Sequence, residues 1–161
     1  IHENPKIFVG FSDVTGLLTS MAQRSGLVTF HGPMLTTYGR ETEPYNLDTF
    51  HRVLSGEAGV RIGAPPGCPT RVLRAGEAGA LDHIRGLGLG ELLEIRDTAE
   101  PFGKNTVEIA LDVCSGLDFP IICNFPCGHG RFQATLPLFH EVSIRADGDD
   151  PHILIPEPPV V

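Results

Sequence analysis

Apolar positions along this chain fall into short clusters separated by Gly, Pro and small polar residues. Residues 7–11 form an apolar run of strand type, closed by Ser12 and Asp13, residue types that favour helix N-termini. Residues 14–24 place Leu17, Leu18 and Met21 at helical spacing, and Gly26 supplies a stop. Residues 27–30 predict a strand that ends before Gly32 and Pro33. Strand, helix and strand with short connections predict a βαβ unit, hence a parallel sheet covered by helices. A short helix follows over 46–55. Between 56 and 70 the density of Gly59, Gly63, Pro65, Pro66, Gly67 and Pro69 predicts a linker or extended crossing. Further strands are predicted over 71–74, 86–95, 118–124 and 141–145, with a helix over 106–114. Gly148, Asp149 and Asp150 mark a hairpin turn into 153–155, and the Pro-rich residues 156–161 are expected to fray. The fold class is α/β: residues 1–64 as a partial N-terminal domain with a parallel sheet, 65–161 as a mixed α/β domain.

Composition narrows the function. With 161 residues, 41% hydrophobic and 20% charged, the chain has the apolar content of a globular protein with a core. A net charge of −8 argues against nucleic-acid binding, which needs a basic face. No apolar run approaches the ~20 residues of a membrane span. The start, Ile1-His2-Glu3-Asn4-Pro5, has neither the basic nor the apolar segment of an export signal, which fits a cytoplasmic protein. Cys68, Cys114, Cys123 and Cys127 are too few for a disulfide framework and read as free thiols. Cys123, Cys127 and His129 could be taken as a metal cluster. Their C-x3-C-x-H spacing matches no usual zinc pattern and lacks an evident fourth ligand, so no metal is expected.

The chemistry concentrates in Cys123-Asn124-Phe125-Pro126-Cys127-Gly128-His129-Gly130, after the apolar run 119–122. A buried strand running into a Gly-flanked loop can hold one imidazole out of the core. Glycine on both sides frees the backbone to aim it. An imidazole titrating near neutrality suits general acid/base work. The plainer reading leaves His129 as a turn residue at the edge of the core.

Two more segments bear on that choice. Asn4-Pro5-Lys6-Ile7-Phe8-Val9-Gly10-Phe11-Ser12-Asp13-Val14-Thr15 and Phe30-His31-Gly32-Pro33-Met34, taken with the Phe125–Gly130 loop and Gln133–Leu138, resemble the LD-carboxypeptidase family. Its members are serine peptidases of the muramoyltetrapeptide carboxypeptidase and microcin C self-immunity types. The resemblance implies a Ser-Glu-His triad, no cofactor, a murein peptide substrate, peptidoglycan recycling in the cytoplasm and a homodimer. It places the nucleophilic serine ahead of Asn4 and the glutamate in a block missing near residues 79–81. His129 is then the one triad member present, and the 161 residues alone are expected to be inactive. Ser12, Asp13, His31, Gly32 and Gly128 are candidates for lining the site. Ser12 is also readable as a plain N-cap, and His31 as a structural histidine bonded to backbone. Glu94 and Glu100 read as surface carboxylates. Two alternatives stand beside the murein reading: an immunity-type peptidase cleaving a peptide- or aminoacyl-nucleotide amide, and a non-catalytic binding or assembly module.

Overall fold

The structure, a computed structural model, describes residues 3–34, 42–74, 76–78, 85–93 and 103–160. In chain order the elements are β1 (Val9–Gly10), α1 (Val14–Ser25), β2 (Thr29–His31), α2 (Pro44–Leu54), β3 (Val60–Ile62), β4 (Arg71–Arg74), β5 (Gly76–Ala78), β6 (Leu87–Glu91), α3 (Thr106–Val113), β7 (Ile121–Gly128), β8 (Leu136–Leu138), β9 (Ser143–Ala146) and β10 (His152–Ile155). They form three small sheets, ordered β1-β2-β8, β3-β10-β9-β5 and β4-β7-β6. The fold is mixed α/β. The junction at 79–81, His2, His83, Glu94 and Glu100 lie outside the described residues.

The first sheet opens with the expected βαβ unit. β1 and β2 run parallel, with Val9 opposite Phe30 and Gly10 opposite His31. α1 turns Leu18 and Ala22 inward, one helical turn apart on one face. It ends at Gly26, whose φ of 67° lets its N–H close back on the carbonyl of Ala22. The third strand was not legible: β8 pairs antiparallel with β2, setting Pro137 opposite Phe30. A proline in the middle of three residues obscures a strand, and β8 sits at the sheet edge, where a missing N–H is tolerated.

Two sequence expectations need correction here. The Gly/Pro-rich stretch 56–70 is not only a crossing, because Val60–Ile62 inside it is β3, with Val60 and Ile62 fully buried. Its partner is β10, from the far end of the chain, so three residues between turn glycines gave no local signal. The tail is not frayed over the described residues. The Pro156 carbonyl accepts the Gly59 N–H at 3.0 Å, Pro159 is buried, and Val160 packs on the core. The expected hairpin forms, with β9 and β10 antiparallel and Ile144 opposite Ile153.

In the third sheet β7 runs on through Pro126 to Gly128 rather than stopping at 124. Asn124 takes a φ of 54°, and the parallel register between β6 and β7 shifts around it. Such an irregularity re-aims the strand end that carries the loop. One core joins all three sheets: Phe30, Val60, Ile62, Ile122, Phe125, Ile153 and Ile155, with Val53 from α2. Burying each large apolar side chain contributes roughly 1.5–3 kcal/mol.

Asn46 and Thr49 of α2 tie down the chain beyond the loop. The Asn46 amide donates to the Arg131 carbonyl at 3.3 Å and accepts the Gln133 N–H at 2.7 Å. The Thr49 hydroxyl accepts the Thr135 N–H at 3.3 Å. Asn46 is 6% exposed, so Asn46→Ala strands a buried N–H and is expected to cost roughly 1–3 kcal/mol. Urea denaturation reads this as a lower midpoint at unchanged slope. A midpoint equal to that of the parent sinks the anchoring role.

Candidate active site

The Gly-His-Gly loop is shaped by its neighbour strand. β6 pairs with β7 so that Glu91 stands opposite Gly128. Gly128 has a φ of 97°, and a Cβ there would lie 2.7 Å from the Glu91 carbonyl oxygen. At Gly130 a Cβ would fall onto the Glu91 carboxylate. Both glycines are therefore imposed by the close passage of β6, and between them His129 is exposed. That is the geometry expected of an aimed imidazole.

Ser12 is what the ring meets. Its Oγ lies 3.1 Å from His129 Nε2, across 117 positions of sequence. Ser12 sits on the turn between β1 and α1 with a φ of 54°, a left-handed conformation unfavourable for a side chain with a Cβ. Sequence reasoning offered Ser12 as an N-cap. Instead Asp13 takes the N-cap position, without a side-chain capping bond, and the Ser12 hydroxyl faces the imidazole. Phe11 packs edge-on against the His129 ring at 5.0 Å between centroids and also touches His31 at 5.6 Å. The aromatic ring thus fixes the imidazole plane from one side.

The remaining candidates are arranged around this pair. Asp13 is exposed beside Ser12. Gly32 is buried and extends the β1–β2 pairing, its N–H bonded to the Gly10 carbonyl at 2.9 Å. A Cβ on Gly32 would meet the Thr135 hydroxyl at 2.9 Å, so it backs the site rather than facing it. His31 makes no backbone bond through Nε2, which is buried without a partner. Among the described residues no ion pair includes His129, and no group of three metal-ligating side chains is assembled. None of Cys68, Cys114, Cys123 and Cys127 is joined in a disulfide. Burial pushes the Cys127 thiol up to about 11, and the hydrogen bond to Glu91 raises that of Cys68, so both stay protonated at neutral pH. Two cavities, of about 390 and 280 Å³, lie elsewhere, against β6 and α3 and beside residues 5–7 and 159–160. The His140 and His152 rings each bond a backbone carbonyl, of Glu157 and Asp150.

Burial, and then the charge of His129, lower the pKa of His31. A lowered value means the unfolded chain binds the proton more readily. The stability this supplies is therefore present above about 6.5 and lost as pH falls through the lowered folded-state value. His152 is lowered as well, and its contribution runs in the same direction. His31→Asn is expected to flatten the fall of melting temperature between pH 7 and 5 relative to the parent. Parallel curves for the two proteins sink the assignment to His31.

The serine turn after β1 and the exposed imidazole after β7 meet at one edge of this mixed α/β fold. Comparison with known proteins makes the assignment specific. Residues 34–144 match the LD-carboxypeptidase C-terminal domain and residues 1–32 the LD-carboxypeptidase N-terminal domain. The chain belongs to the LD-carboxypeptidase family. A protein of Synechocystis sp. that carries the carboxypeptidase name is 27% identical over 191 residues, covering 90% of this chain and 62% of that protein. The "Probable murein peptide carboxypeptidase" of Bacillus subtilis is 62% identical over 37 residues, 23% of this chain and 12% of the relative. The chain thus spans less than two thirds of the length of these curated relatives. Among solved structures, an MccF-like protein from Bacillus anthracis shares the fold, with a TM-score of 0.79 at 18% identity over 97% of this chain and 69% of that one. Among the described residues, no helix is long and apolar enough to cross a membrane.

Proposed function

We propose that this protein is a serine-type LD-carboxypeptidase with His129 as its general base. Its substrate is the amide between an L-configured centre and the terminal D-alanine of a murein tetrapeptide. The observation that carries this reading is the exposed ring of His129 with a serine hydroxyl at Nε2, in a chain of this family. In the reaction Nε2 takes the proton of the attacking hydroxyl and returns it to the leaving amine. A carboxylate on Nδ1 would hold the tautomer and stabilise the imidazolium. Family resemblance places the nucleophile ahead of Asn4, whereas the hydroxyl that stands at Nε2 here is that of Ser12, on the turn between β1 and α1; the resemblance sets the carboxylate in a block beyond Ala78. The Synechocystis alignment supports such a block, because it is longer than this whole chain and so opens gaps in it. On this reading the 161 residues alone leave tetrapeptide uncleaved, and the working enzyme is a cytoplasmic homodimer without a cofactor.

Mass spectrometry of murein tetrapeptide incubated with the protein as the cell makes it tests the proposal. Release of D-alanine supports it. Cleavage of an aminoacyl-nucleotide amide in its place moves the protein to the immunity type, that of the microcin C7 self-immunity protein MccF among its solved structural relatives. Neither activity, from a gene that encodes only these residues, leaves a binding or assembly module.

A further inference from the structure

We propose that His31 is a positioning residue for His129, acting through the ring of Phe11, which it backs from the middle strand of the first sheet. The inference rests on the reading of His129 as a general base. It adds to that reading the part of the fold that keeps the base in place.

An imidazole on a Gly-flanked loop has a positioning problem. The loop carries His129 out of the core and its side chain is exposed, so burial does not fix the ring. A base works only when its nitrogen stays within hydrogen-bond reach of the proton it takes. The 3.1 Å contact between Nε2 and the Ser12 hydroxyl holds one ring atom and leaves the plane free to turn. The Phe11 ring supplies the second constraint, 5.0 Å away between centroids and at 61° between planes, an arrangement that aromatic rings favour. Phe11 is half-buried on a turn, so it needs a support of its own. The His31 ring lies 5.6 Å from it, at 49°.

Strand register brings the two rings together. β1 and β2 run parallel with Gly10 opposite His31, and the Gly32 N–H bonds the Gly10 carbonyl at 2.9 Å. Phe11 therefore leaves β1 at the level where β2 carries His31. β2 is the middle strand of its sheet, paired with β1 on one side and with β8 on the other, where Leu136 stands opposite His31. A side chain on a strand paired along both edges is held more precisely than one on a loop. Two observations show what His31 contributes. Its Nε2 is buried without a hydrogen-bond partner, so that nitrogen makes no polar contact. Burial, and then the charge of His129, hold its pKa below the usual histidine value, so at neutral pH it meets Phe11 as an uncharged ring. What it offers Phe11 is therefore a stiff, flat surface. Because Phe11 directly precedes Ser12, a ring braced in this way steadies both ends of the contact between the hydroxyl and Nε2.

The experiment compares the parent with His31→Ala, His31→Phe and Phe11→Ala in the protein as the cell makes it. NMR reads contacts between ring protons, and steady-state kinetics reads D-alanine release. The parent is expected to show contacts from the Phe11 ring to both imidazoles. His31→Ala should lose the Phe11–His129 contact while keeping those between Val9 and Phe30 across β1 and β2. Its kcat should fall roughly 10- to 100-fold, the scale of a small misplacement of a catalytic group, with KM little changed. His31→Phe keeps a ring and removes the unpartnered Nε2, so it should recover most of that loss. Phe11→Ala should lose as much as His31→Ala, and the double variant no more than either alone. An intact Phe11–His129 contact in His31→Ala, an unchanged kcat, or a loss as deep in His31→Phe overturns the positioning role. So does loss of the Val9–Phe30 contacts, which marks a broken sheet rather than a released ring. If the parent itself releases no D-alanine, the peptidase proposal fails, and the ring contacts alone decide for or against His31.

Discussion

His129→Gln is expected to lower kcat for D-alanine release by roughly 10²–10⁴-fold, with little change in KM. In the proposed reaction the imidazole moves a proton in the transition state and is not needed to hold the ground-state peptide, so the loss belongs in the rate. Glutamine keeps a polar group at the loop tip. The side chain is exposed, so the melting temperature should stay within about a degree of the parent. The measurement is steady-state kinetics on the protein as the cell makes it, paired with a thermal melt. An unchanged kcat removes His129 from the chemistry, and with it the peptidase proposal. A fall in both kcat and melting temperature points to a structural role for the loop instead.

Gly128→Ala should produce the largest loss of stability of any single methyl addition near the site. Two penalties coincide there: a φ of 97°, closed to alanine, and a Glu91 carbonyl oxygen 2.7 Å from the new carbon. That carbonyl belongs to a strand paired with β7, so it cannot retreat without breaking the sheet. Strain and overpacking together cost roughly 2–5 kcal/mol. For a chain of this size that is a drop of about 5–15 °C in melting temperature. Gly130→Ala is the informative contrast, because what it meets is the Glu91 side chain, partly able to swing aside. Removing that side chain, Cβ included, with Glu91→Gly should restore most of the Gly130→Ala loss and none of the Gly128→Ala loss. Equal rescue of both variants would falsify the account of how β6 shapes the loop.

Much of the architecture was legible because its signals are local. Residues 7–31 announce strand, helix and strand through runs, spacing and a C-terminal glycine. α3 begins at Thr106 because Asn105 and Glu108 form a reciprocal capping box, the Asn105 side chain accepting the Glu108 N–H at 3.0 Å. β3, β5 and β8 left no comparable trace. Each is three residues long and exists through partners far along the chain: β10 for β3, β9 for β5, β2 for β8. The burial of Asn46 was hidden for the same reason, since its bonds go to Arg131 and Gln133. At the site, the sequence pointed to His129 and to its glycines as devices for aiming it. It gave the glycines as freedom, whereas the fold shows them as a necessity enforced by Glu91.

The sequence by itself determined that this is an α/β chain of acidic charge with one imidazole set between glycines, because propensity, periodicity and turn chemistry act over a few residues. Tertiary structure alone decided what that imidazole faces. Ser12 and His129 are 117 positions apart, and nothing in either segment encodes the other. Their meeting follows from β8 adding to the edge of the β1–β2 pair and from β6 steering the end of β7. Contacts of that range depend on the packing of the whole core, which no local pattern of residues contains.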